Sequence, residues 1–124
     1  HSIKLAMNLQ IAMLALALSE GITLTRKAGF DPEVFLKILN STYFKTGMSE
    51  NKAYKMIKDS FSPTFTLANL KKDLDTITDT ANSFGATLPM AENAKKVYEK
   101  AIEAGFGEID YTGILAYIKE ISKK

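Results

Sequence analysis

Apolar residues dominate the start of the chain. From Ile3 to Ala28 it reads IKLAMNLQIAMLALALSEGITLTRKA, helix-forming almost throughout, and between Leu9 and Leu18 only Gln10 is polar. A helix apolar on every side is expected to be wrapped by other elements, not laid on a surface. Lys4 and Asn8 stand apart at its beginning, one helical turn from each other. Arg26 and Lys27 suit the negative end of the helix dipole, and Gly29 offers the left-handed residue that stops it.

A second helix is expected at once, with Asp31 as N-cap, Pro32 at the first helical position and Phe30 stapled onto Phe35. Val34, Phe35, Ile38 and Leu39 form its apolar stripe, and Asn40-Ser41-Thr42 ends it. Residues 43–64 show no long period and read as short helical turns separated by loops. Ser62-Pro63 then forces an extended entry, because the residue before proline leaves the helical region. Leu67, Leu70, Leu74, Ile77, Ala81 and Phe84 recur every three or four positions, an amphipathic helix ending near Gly85. Leu88-Pro89 opens another, with Ala94, Val97, Tyr98, Ala101 and Ile102 facing inward until Gly105. A last helix follows Asp110, carrying Ile114, Leu115, Tyr117, Ile118 and Ile121. No stretch alternates apolar and polar positions as a half-buried strand would. The expected fold is all-α: one long central helix surrounded by about five others, residues 1–124 forming one domain.

Composition narrows the function. The chain has 124 residues, 46% hydrophobic and 24% charged, the values of an ordinary globular domain. Sixteen Lys and Arg against fourteen Asp and Glu leave a net charge of +2, which is no nucleic-acid footprint. There is no cysteine, and the single histidine is His1, so thiolate, disulfide and His-based metal chemistry are set aside. A membrane span needs roughly 20 uninterrupted apolar residues; Asn8, Gln10, Ser19, Glu20 and Arg26 interrupt or close this one. The expectation is a cytoplasmic protein with neither membrane nor nucleic acid as partner. A chain opening on His-Ser without methionine reads as starting mid-protein.

Two polar groups carry candidate chemistry. A lysine in a helix's first turn faces the positive end of the dipole, unfavourable for an ammonium and suited to proton exchange. Judged by helical spacing alone, Lys4 and Asn8 read first as solvent-facing polarity at a helix start. On the helix from Leu67, at about 100° per residue, Asp73 lies roughly 60° from the centre of the apolar stripe and Lys72 almost opposite it. Asp73 should therefore be partly buried and want a partner, while Lys72 reaches outward; a boundary Asp bridged to a nearby Lys is the plain alternative. Phe65, just before that helix, reads first as core. Gly105-Phe-Gly107 fails as a dinucleotide loop, because no strand precedes it and the third glycine is missing.

Taken together, these segments resemble the C-terminal domain of the β-hydroxyacid dehydrogenases, the 3-hydroxyisobutyrate dehydrogenase-like enzymes. Lys4-Leu-Ala-Met-Asn8 looks like their K-x-x-x-N signature. Ser19-Glu20-Gly21, Lys27-Ala-Gly29 and the Asp-Pro entry match an E-A/G-x-x-L-x-x-x-x-G-hydrophobic-D stretch. Phe65-Thr-Leu-Ala-Asn-Leu-Lys-Lys72-Asp73-Leu matches F-x-L-x-x-x-x-K-D-hydrophobic, and Leu88-Pro89 and Gly105-Phe-Gly107-Glu-Ile-Asp110 match two later landmarks. The resemblance covers nearly the whole chain, and five landmarks in order make it specific.

The resemblance implies an NAD- or NADP-dependent oxidoreductase interconverting a small β-hydroxyacid and its semialdehyde or ketone. It implies Lys4 as the catalytic acid/base, Asn8 and Phe65 at the substrate, Lys72 at the cofactor and Asp73 in support, with no metal. The helical domain would close the active-site cleft and build a homo-oligomer, a dimer or tetramer. The family's N-terminal Rossmann domain, with its G-x-G-x-x-G loop, is not in this sequence, so this domain alone is expected to be inactive. The helical part is also too short for 6-phosphogluconate dehydrogenase. A rival reading from another class is a non-catalytic helical interaction and oligomerisation module.

Overall fold

The computed structural model describes residues 1–123. Its spine is α1, Ser2–Lys27, followed by α2 (Pro32–Asn40), two short helices α3 (Gly47–Asn51) and α4 (Ala53–Ile57), then α5 (Leu67–Ser83), α6 (Pro89–Ala101) and α7 (Ile114–Ile121). Among the described residues there is no strand, only one isolated bridge between Thr66 and Asp110. The all-helical expectation holds.

Local chemistry sets most boundaries. α1 closes as expected: the Phe30 N–H donates to the Thr25 carbonyl at 3.1 Å across Gly29, which sits at φ +89°. Asp31 caps α2 by accepting the Glu33 N–H at 2.9 Å, with Pro32 in the first turn. The undecided 43–64 stretch resolves into α3 and α4. Thr46 and Ser49 form a reciprocal capping box there, and the Ser49 hydroxyl donates to Asn40 Oδ1 at 2.7 Å, tying α3 to the end of α2. Beyond Ala101 the chain makes a π-type turn, Ile102–Phe106, with Gly105 at φ +98°. A 3-10 turn, Tyr111–Gly113, then leads into α7.

α1 serves two apolar clusters. Its first half gives Leu5, Ala12 and Ala15 to a cluster with Leu67, Leu70 and Leu74 of α5, Tyr98 of α6 and Ile114 of α7. Its second half gives Leu18 and Ile22 to another, with Leu36, Ala53, Met56 and Leu115. Each large side chain buried this way stabilises the fold by about 1.5–3 kcal/mol. The alanines let α6 come close enough for the Tyr98 hydroxyl to donate to the Ala12 carbonyl at 2.9 Å. Burial pushes the Tyr98 phenol well above its ordinary pKa, so it stays a donor.

Three packing expectations are corrected. The middle of α1 is not wrapped all round by this chain. The helix is long and apolar enough to cross a membrane by length and composition, with only 28% of its most apolar window buried here. Between Leu9 and Leu18 only Ala12, Ala15 and Leu18 are fully buried, and nearer the ends Ile3, Met7 and Leu24 are exposed, because α2, α5, α6 and α7 cover one side only. On α2, Leu36 is the buried residue, with Phe35 and Leu39 half-buried; Val34 and Ile38 point away from α1 and stand exposed, as does Phe30. Phe84 lies just past the end of α5 and is 75% exposed, outside the stripe it seemed to extend.

Candidate active site

The first turn of α1 holds Lys4 in the open. It is exposed, no acid shares that turn, and among the described residues it takes part in no ion pair. Asn8 follows one turn on, half-buried. Its neighbour Leu5 is core, so the helix fixes the direction of this turn while the amine stays accessible. An uncovered, unpaired primary amine beside a carboxamide can exchange a proton with a small oxygen substrate and hold that substrate by hydrogen bonds.

The second group lies on α5, which packs alongside α1. Lys72 is exposed and Asp73 half-buried, as the helical wheel requires. A Lys–Asp bridge does form on this helix, but between Lys71 and Asp75 and not at Asp73. Lys71 Nζ pairs with Asp75 at 2.9 Å, and this hydrogen bond raises the Lys71 pKa, while Asp73 and Lys72 make no ion pair among the described residues. Lys72 is thus available to an anionic group from outside, such as a dinucleotide phosphate.

Phe65 stands at the entrance to α5. It packs on the apolar cluster that includes Leu5 of α1 and Leu67 and Leu70 of α5, so its ring belongs with the layer that carries both polar groups. Lys4 and Asn8 are brought together by the turn of α1, and Lys72 and Asp73 by adjacency on α5. A cavity of about 460 Å³ lies elsewhere, between α6 and α7 against Val97, Tyr117 and Ile121. None of the five site candidates lines it.

What holds Phe65 is a buried aspartate. Asp110 is 3% exposed. Its Oδ1 accepts the Thr64 N–H and hydroxyl, both at 3.0 Å, and the Phe65 N–H at 3.3 Å. Its Oδ2 accepts the Thr112 hydroxyl at 2.6 Å, the Thr112 N–H at 3.3 Å and Lys52 Nζ at 3.4 Å. Burial alone would push this carboxyl up; the Thr112 hydroxyl and the N–H groups of Thr64, Phe65 and Thr112 outweigh it and hold the pKa below the ordinary aspartate value. The same segment caps α5 from outside, since Leu67 N–H donates to the Ile109 carbonyl and Ala68 N–H to that of Gly107, each at 2.9 Å. Asp110 was visible in sequence as the residue before the last helix and the end of a landmark, but not as a buried acceptor. Lys52, at the joint of α3 and α4, carried no signal.

Among the described residues no group of three or more His, Cys, Asp or Glu is placed to hold a metal. The chemistry on offer is that of an amine, a carboxamide, a free cation and an aromatic wall.

Comparison with known proteins bears on the family and the fold. The chain is 28% identical over 116 residues to glyoxylate/succinic semialdehyde reductase 1 of Arabidopsis thaliana, covering 94% of this chain and 40% of the relative. It is 31% identical over 120 residues to an oxidoreductase of Bacillus subtilis, YfjR, covering 96% and 42%. The crystal structure of 3-hydroxyisobutyrate dehydrogenase from Salmonella typhimurium superposes with a TM-score of 0.86 at 23% identity, over 93% of this chain and 40% of that one, a likeness of fold. The chain thus spans about two fifths of the length of the relatives it matches. A family model described as the NAD-binding domain of NADP-dependent 3-hydroxyisobutyrate dehydrogenase matches residues 1–118, and the chain belongs to that family.

Proposed function

We propose that this chain is the helical substrate and oligomerisation domain of an NAD(P)-dependent β-hydroxyacid dehydrogenase, with Lys4 as its acid/base. The observation that carries the reading is the open, unpaired amine of Lys4, one turn before Asn8 on the helical spine of a chain in this family. Bound NAD or NADP supplies a hydride acceptor or donor. In oxidation the neutral Lys4 amine takes the proton of the substrate hydroxyl while the carbon's hydrogen leaves with its electron pair; in reduction the ammonium returns that proton to the carbonyl oxygen. Asn8 orients the substrate beside Lys4, Phe65 walls the cleft, Lys72 pairs with cofactor phosphate or ribose, and Asp73 supports α5. The remaining cofactor contacts and the substrate-carboxylate grip belong to a dinucleotide-binding domain joined to this one. Hydride transfer needs cofactor and substrate held together, so this domain alone is inactive. The exposed apolar face of α1 and α2 serves homo-oligomer assembly.

The test is Lys4→Ala in the enzyme that joins this chain to its dinucleotide domain, assayed with a panel of short β-hydroxyacids. We expect kcat to fall by about 10²–10⁴-fold with cofactor affinity retained. Near-normal turnover in that variant would remove Lys4 from the chemistry and favour the non-catalytic module.

A further inference from the structure

Phe65 is held on more sides than a core aromatic needs. Its N–H donates to Asp110 Oδ1 at 3.3 Å, and its carbonyl accepts the Tyr111 N–H at 2.8 Å, so both faces of its peptide are tied to consecutive residues. Its ring meets that of Tyr111 edge to face, centroids 6.0 Å apart. Behind Tyr111 sits Lys52, whose Nζ lies 4.3 Å from the ring centroid, 3.4 Å from Asp110 Oδ2 and 3.1 Å from the Thr64 hydroxyl. One cation therefore touches each part of the assembly that fixes Phe65: the ring it packs on, the carboxylate that binds its N–H, and the residue before it.

Energetically the arrangement is lopsided. Asp110 already has five hydrogen bonds from Thr64, Phe65 and Thr112, enough to satisfy both oxygens. Lys52 is half-exposed at 34% of its side chain and could point into solvent at little cost. What it adds is orientation. A cation over the Tyr111 face restrains the ring's tilt, and the ring's edge sets where Phe65 stands.

We propose that Lys52 is a positioning residue for the reaction, acting through Tyr111 and Asp110 to fix the Phe65 wall. This rests on the dehydrogenase reading above and assigns Lys52 no contact with substrate. Reactions held in a near-attack geometry are sensitive to such placement, where 1 Å of error costs up to about 100-fold.

The test is a double-mutant cycle between Lys52→Met and Phe65→Leu in the enzyme bearing the dinucleotide domain. Methionine keeps the apolar stem and removes the charge. We expect Lys52→Met to lower kcat/KM about tenfold with an unchanged melting temperature, and Lys52→Arg, which retains the cation over the ring, to restore most of it. In the Phe65→Leu background the same substitution should have no further effect, because its route to the substrate is gone. Full additivity would overturn the inference, as would wild-type kcat/KM in Lys52→Met while Phe65→Leu is impaired. Should Lys4→Ala and Phe65→Leu both turn over normally, the dehydrogenase reading itself falls and this inference with it. If Lys52→Met melts early, the Phe65 amide and ring shifts by NMR in Lys52→Arg decide: wild-type shifts support the brace, displaced shifts with undiminished kcat/KM overturn it.

Discussion

The turn around Asp110 and the outer face of α2 solve opposite problems with the same chain. Near Asp110, three segments distant in sequence converge on one carboxylate, and polar groups there are matched nearly one for one. Along α2 and its flanking loops, Phe30, Val34, Ile38, Tyr43 and Phe44 stand exposed, with the rings of Tyr43 and Phe44 edge to face at 5.7 Å. A groove of about 230 Å³ opens beside them, lined by Leu14, Phe35, Leu39 and Phe44. The contrast separates two sources of order. Hydrogen bonds to a buried charge make the Asp110 turn rigid by itself, whereas the α2 face is finished only by something that covers it.

The sharpest way to break the contrast is Asp110→Ala. It leaves the N–H groups of Thr64, Phe65 and Thr112 without their acceptor, and we expect a loss of about 3 kcal/mol or more in chemical denaturation. A loss below about 1 kcal/mol would mean that water replaces the carboxylate freely and that the turn is not self-sufficient. Acid should do the same more gently. Because the folded-state pKa of Asp110 lies below its ordinary value, its contribution is complete above that ordinary value and is lost as pH falls through the folded one. Melting temperatures should therefore drop on the acid side of about pH 4, and less steeply in Asp110→Asn, which has no proton to gain there. The smallest effect on stability belongs to the other region. Ile38→Gln is expected to change folding free energy by no more than about 0.5 kcal/mol, yet to shift sedimentation toward smaller species if this face joins copies of the chain. An unchanged assembly would assign that face another occupant.

Two helix starts were readable because each has a local chemical marker: Asp31-Pro32 for α2 and Leu88-Pro89 for α6; the Thr66 cap of α5 emerged only with the structure. The apolar repeat of α5 likewise predicted Leu67, Leu70, Leu74 and Ile77 as core. What periodicity could not provide was coverage. Val34 and Leu36 are both apolar, and only the path of α1 decides which one is buried. The candidate site divides in the same way. The exposure of Lys72 and the half-burial of Asp73 followed from helix geometry alone. The chemical role of Lys4 came from family resemblance, since an exposed lysine in a first turn has no distinguishing pattern. Lys52 was invisible because its partner Asp110 lies 58 residues away and a side-chain pair across loops leaves no repeat in the sequence.

The placement of α1 also has a consequence in time. Its two halves feed separate apolar clusters, and both clusters need residues from α7, Ile114 in one and Leu115 in the other. A ribosome makes α1 long before α7, so the most apolar segment of the chain waits in the exit vestibule with neither cluster complete. Neither cluster can be completed before α7 has emerged, so the packing of both halves of α1 waits on the same helix.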